Sequence, residues 1–111
     1  MKHYKPLQKW RLQELVHISH ARELKKSLSA LATRFDSWKL GEIASLQMEE
    51  ILHQHDCNES QQLWSLYNTP RLEYLLARAI VKGLLSEQEV GTKIMKLLAD
   101  EIAFYKNGDV K

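Results

Sequence analysis

Residues 24–38 read LKKSLSALATRFDSW, and the spacing of their apolar side chains decides the fold class. Leu24, Leu28, Leu31, Phe35 and Trp38 fall at steps of four, three, four and three, the repeat that puts side chains on one side of an α-helix and forms the seam between packed helices. A strand cannot use that repeat, because its successive side chains point to opposite faces. Extended backward, the same steps reach Ala21 and His17. Pro6 suits the first helical turn, where its missing N–H costs nothing, and Gly41 suits a stop just beyond Leu40 because glycine adopts the left-handed conformation that ends helices. A helix running from about Pro6 to about Leu40 exceeds what a compact small domain usually holds. Part of its apolar stripe is therefore expected to pack on another chain.

The rest of the chain is also helical in period. Ser45 is the expected N-cap of a second helix carrying Leu46, Met48, Ile51 and Leu52. That helix continues to Leu63, Trp64, Leu66 and Tyr67 across a weak middle at residues 56–60, which are mediocre helix formers. Asn68-Thr69-Pro70 predicts the start of a third helix, with proline in its first turn. Leu72, Tyr74, Leu75, Leu76, Ala79, Ile80 and Val81 leave it little polar face, so it should be central and buried, ending at Gly83. Ser86 and Glu89 form the capping box of a fourth helix, which carries Val90, Ile94, Leu97, Leu98, Ile102 and Tyr105 and frays near Gly108. Strand-like alternation bounded by glycine or asparagine turns is absent. The expectation is an all-α single domain over residues 1–111, a small helical bundle of about four helices with a long N-terminal helix.

Composition agrees with a globular protein: 111 residues, 44% hydrophobic and 27% charged, with four glycines and two prolines. The basic start MKHYKPLQKW has no apolar core of the kind a signal peptide needs, and charges interrupt every later apolar run. A cytoplasmic location without membrane association is the expectation. One cysteine, Cys57, rules out an internal disulfide and a multi-cysteine zinc site. The net charge of +2 conceals an uneven distribution. Residues 1–40 carry nine Lys or Arg against three acids, whereas residues 41–70 carry five acids and no Lys or Arg. Such neighbouring segments attract each other, within one chain or between two copies.

Chemistry-bearing residues concentrate in ILHQHDCNES, residues 51–60. Glu50 and His53 form a Glu-x-x-His pair on one helical face, and Glu14 and His17 repeat it on the first helix. Dinuclear iron or manganese sites in four-helix bundles use two such pairs plus a glutamate from each remaining helix, and Glu73 and Glu101 are the candidates for those. The motif is short enough to arise by chance in a chain this rich in glutamate and histidine. The competing reading for His17 is a hydrogen-bonded histidine in a helix interface. His53 and Cys57, four residues apart, would share a face and suit zinc or copper with Asp56 or His55, but one helix offers too few ligands unless a second chain adds more. A Cys57–His53 nucleophilic pair would need an orienting group and oxyanion donors, and the glycine-containing turns that usually provide such donors are scarce. A small half-buried thiol is the expected state of Cys57. No phosphate-binding glycine loop or nucleophile elbow occurs, so an enzyme is the minority reading.

Two binding readings remain. Lys2, Lys5, Lys9 and Arg11, with His3, Tyr4 and Trp10, form a basic and aromatic cluster that suits nucleic acid, although no basic recognition helix accompanies it. Trp10, Trp38, Trp64, Tyr67, Tyr74 and Tyr105 are large amphipathic side chains of the type that anchor protein interfaces. With the seam of Leu24, Leu28, Leu31, Phe35 and Trp38, they point to protein association, a homodimer first, with no cofactor required.

The segment FDSWKLGEIASLQMEEILHQHD, followed by QQLWSLY, resembles a pattern in small uncharacterised bacterial helical proteins. The matching residues are Phe35, Trp38, Gly41, Glu42, Ile43, His53, Leu63, Trp64 and Tyr67. The resemblance spans about a third of the chain and implies bacterial origin, with no established activity attached.

Overall fold

A computed structural model describes residues 6–107, with side chains from residue 8 onward. Among these the fold is all-α: α1 (Pro6–Lys39), α2 (Ser45–Gln54), a π-helical turn (His55–Ser60), α3 (Gln61–Tyr67), α4 (Leu72–Val81), α5 (Glu87–Val90), α6 (Thr92–Leu97) and α7 (Ala99–Asn107). None of these helices is long and apolar enough to cross a membrane. The contacts group into two compact units, one of residues up to His20 with residues from Thr69 onward, the other Ala21–Asn68.

The first unit holds a continuous apolar core. Leu12 and Leu15 from α1, Leu76, Ala77 and Ala79 from α4, Leu84 and Leu85, and Val90, Ile94, Leu98 and Ile102 are buried together. Ser19 is also fully buried, and its hydroxyl donates to the Leu15 carbonyl oxygen at 2.8 Å, so no polar group is left unsatisfied there. As its apolar composition predicts, α4 is central, with residues 75–79 all buried.

Its start differs from the sequence expectation. Pro70 lies outside the helix, because Arg71 occupies an inverse γ-turn (φ −83°, ψ 71°) in which the Leu72 N–H donates to the Pro70 carbonyl oxygen at 3.0 Å. The stop is as expected. Gly83 (φ 80°) donates to Ile80 and Leu84 to Ala79, the paired bonds of a Schellman motif.

The expected fourth helix is broken into three. Its capping box forms, with Glu89 N–H on Ser86 Oγ at 3.1 Å and Ser86 N–H on Glu89 Oε1 at 3.0 Å. Gly91 then takes φ 88° and ψ 153°, which ends α5, and Leu98 leaves helical geometry (φ −99°, ψ 7°) between α6 and α7. These breaks keep Val90, Ile94, Leu98 and Ile102 inward, so the apolar repeat was informative although the helix is not continuous.

The Ala21–Asn68 unit is a helical hairpin. A second Schellman motif closes α1: Gly41 (φ 83°) donates to Trp38 and Glu42 to Ser37. Ala44, not Ser45, is the N-cap residue of α2. The Ser45 hydroxyl instead accepts from Trp38 Nε1 at 3.0 Å across the turn. The doubtful middle of the second helix is a π turn between α2 and α3, with helical angles at Gln54, His55, Ser60 and Gln61. Only Ile43 and Met48 of this unit's apolar side chains are buried.

Truncating Leu76→Ala should destabilise the first unit by about 2–5 kcal/mol through the cavity left in its core. Leu46→Ala, at a side chain 83% exposed, should change stability by less than about 0.5 kcal/mol. Urea titration of both variants checks the contrast.

Candidate functional site

The π turn carries the densest polar cluster of the hairpin. In a π turn each N–H reaches back five residues instead of four, which inserts an extra residue, and such turns often mark functional positions. Here it sets His55 against α1. His55 Nε2 lies 2.8 Å from Ser27 Oγ, and the Ser27 hydroxyl donates to Glu59 Oε2, also at 2.8 Å. Glu59 Oε2 is 3.7 Å from the same Nε2. On the other side of the ring, Nδ1 is 3.4 Å from Ser60 Oγ. The His55 side chain is 10% exposed and that of Glu59 is 60% exposed. The cluster is therefore sealed at its histidine and open at its carboxylate.

Serine, histidine and glutamate together invite comparison with a nucleophilic triad, but the geometry opposes that chemistry. A triad places the carboxylate on Nδ1, so that the free lone pair of Nε2 can take the serine proton. In this cluster both Ser27 and Glu59 sit on the Nε2 side. With the single Ser27 proton directed at Glu59, Ser27 Oγ accepts from Nε2–H, and that assignment leaves Nε2 no lone pair with which to act as base. The arrangement can tie two helices together. In that tautomer the ring does not act as a base toward Ser27.

The other predicted site residues fall in both units. Glu14 pairs with Arg11 on the same helix, and His17 is exposed. Glu50 accepts from Gln54 Nε2 at 3.0 Å, and Asn58 Nδ2 donates to Gln54 Oε1 at 2.8 Å, which makes an exposed i,i+4 ladder. His53 is exposed. The pair Glu14 and His17 belongs to the first unit, and Glu50 and His53 belong to the hairpin. Glu73 is half-buried; Glu101 is buried and already engaged. Among the described residues, no three His, Cys, Asp or Glu side chains converge as a metal ion would require.

Cys57 is exposed rather than half-buried. Its Sγ lies 3.7 Å from His53 Nε2 and 3.9 Å from Nδ1, contacts along one exposed face with no third group to orient the ring. In the basic cluster, Lys2, His3, Tyr4 and Lys5 lie outside the described residues, and Lys9 and Trp10 are exposed. Arg11 is occupied: besides Glu14 it donates to the Glu89 carbonyl oxygen at 2.8 Å.

The aromatic anchors are more open than a core assignment would require. Trp10 is 61% exposed, Trp64 66% and Trp38 37%, while Tyr67 donates to Glu23 Oε1 at 2.7 Å within the hairpin. Of the seam, Leu28 is 49% exposed and Leu24, Leu31 and Phe35 are only partly covered. Sequence reasoning missed Ser27 and Glu59. The spacing of His55 and Glu59, four residues apart, was a usable signal, whereas only the hairpin reveals Ser27 as a partner.

No protein-family model matches this chain, and neither curated proteins nor solved structures show significant similarity to it.

The exposure of Cys57 makes a direct test of the hairpin. In native buffer one equivalent of thiol should react with Ellman's reagent at a rate close to that in denaturant. A thiol that reacts only after unfolding would contradict this placement of the π turn.

Proposed function

We propose that this protein acts by binding protein through the apolar face of its Ala21–Asn68 hairpin, with a second copy of the chain as the partner. The observation that carries this reading is the mismatch between apolar supply and apolar burial in that unit. The hairpin buries Ile43 and Met48. Against these two, Leu28, Trp38, Leu40, Leu46, Leu52 and Trp64 are exposed, and the seam beside them is half covered. Single exposed leucines are common on any protein, but six large exposed apolar side chains on one two-helix unit, two of them on a half-covered seam, supply the area that a packed helix needs. Tryptophan at such a surface supplies much area at little entropic cost.

The polar side of the hairpin supports binding over catalysis. Its best-formed cluster, Ser27, His55 and Glu59, spends its hydrogen bonds holding α1 to the π turn.

Sedimentation of the full chain tests the proposal. Self-association is expected, and Leu28→Glu should weaken it by about tenfold or more, since removing a buried leucine from an interface costs about 1.5–3 kcal/mol and about 1.4 kcal/mol is tenfold in Kd. Leu28 is half exposed within one copy, so far-ultraviolet circular dichroism should be unchanged. A chain that stays monomeric at every concentration tested would remove the reading.

A further inference from the structure

Helices can pair like against like or like against unlike, and the hairpin's charges distinguish the two. We infer that two copies of the Ala21–Asn68 hairpin join about a two-fold axis with the second half of α1 in one copy against α2 and α3 of the other. Helices of the same charge then lie on the diagonals of a four-helix arrangement. The inference rests on the self-association proposed above and gives that association its geometry.

Residues 21–40 carry five basic side chains, Arg22, Lys25, Lys26, Arg34 and Lys39, against Glu23 and Asp36. The returning segment, residues 41–68, carries Glu42, Glu49, Glu50, Asp56 and Glu59 with no Lys or Arg. The hairpin thus has one basic arm and one acidic arm. Lys25, Lys26 and Arg34 on the first, and Glu42, Glu49 and Asp56 on the second, are all exposed and make no ion pair with one another. The arms are instead joined by hydrogen bonds, at Trp38–Ser45, Ser27–His55, Ser27–Glu59 and Glu23–Tyr67. Their charges remain available to a neighbour.

In a two-fold pair the same surface serves both copies, so any complementarity is satisfied twice. If α1 met α1 of the partner, two basic arms would face each other across the seam. If α1 meets the acidic arm, both interfaces are attractive. One exposed ion pair contributes little, but an arm of one net sign against an arm of the other selects orientation and partner. The seam supplies contact in either arrangement, because its alternating steps of four and three fit the shallow crossing of helical bundles. Charge therefore selects the pairing.

Sedimentation of the full chain between about 0.01 M and about 1 M salt, where the screening length falls from about 30 Å to about 3 Å, should show Kd rising by tenfold or more. Lys25→Glu with Lys26→Glu should weaken self-association, as should Glu49→Lys with Glu50→Lys, each by about tenfold. Mixing the two variants should restore a heterodimer, a gain that misfolding of either cannot produce; circular dichroism of each confirms its helicity. Tighter association at high salt, or on Lys25→Glu with Lys26→Glu, would mean that like arms face each other and overturns the inference. Association indifferent to salt and to both variants also overturns it while leaving self-association standing. No association at any salt removes the proposed function itself.

Discussion

Burial along α1 ends at Ser19, and the character of the protein follows from that limit. Up to Ser19 the helix contributes Leu12 and Leu15 to a closed core with α4 and the three short C-terminal helices. From Ala21 onward the same helix carries an apolar seam that only a single returning helix covers. The first half of α1 is a core element. Its second half leaves the seam partly exposed, with Leu28 and Trp38 open and Leu24, Leu31 and Phe35 half covered.

Polar side chains within the hairpin are committed to holding that surface in shape. Trp38 binds Ser45 at the turn, Ser27 engages His55 and Glu59 midway, and Glu23 receives the Tyr67 hydroxyl at the far end. Each bond contributes on the order of 1 kcal/mol, and together they set the orientation of the two helices where apolar burial is slight. A fixed apolar face loses less entropy on association than a flexible one. Ser27 and His55 here join α1 to the π turn through hydrogen bonds.

The helical class and the main reversals were legible in the sequence because they depend on local rules. Gly41 and Gly83 end helices with positive φ, and the Ser86–Glu89 box forms as its spacing requires. The buried set of the last three helices was also legible, since the apolar repeat survives the breaks. Gly91 was harder to read. A glycine inside an amphipathic repeat can remain helical, and only the packing of residues beside it shows that it does not. Pro70 misled for a related reason: proline suits a first turn, but the γ-turn at Arg71 delays the helix by two residues. At the candidate site, the segment 51–60 was conspicuous by composition, whereas Ser27 lies 28 residues before His55 and has no local signal that pairs it with that ring.

The π turn at His55–Ser60 also acts as a phase reserve in the chain. An α-helix advances by about 100° per residue, so losing a residue from α2 or α3 would rotate every later side chain by about that angle. Tyr67 would then point away from Glu23, and Leu63 and Leu66 would leave the covered side. Losing one residue inside the π turn would return it to ordinary α geometry with both flanks still in register. Along the acidic arm, insertions and deletions are therefore unequal in consequence, and the six-residue turn is where the hairpin can change length without changing face.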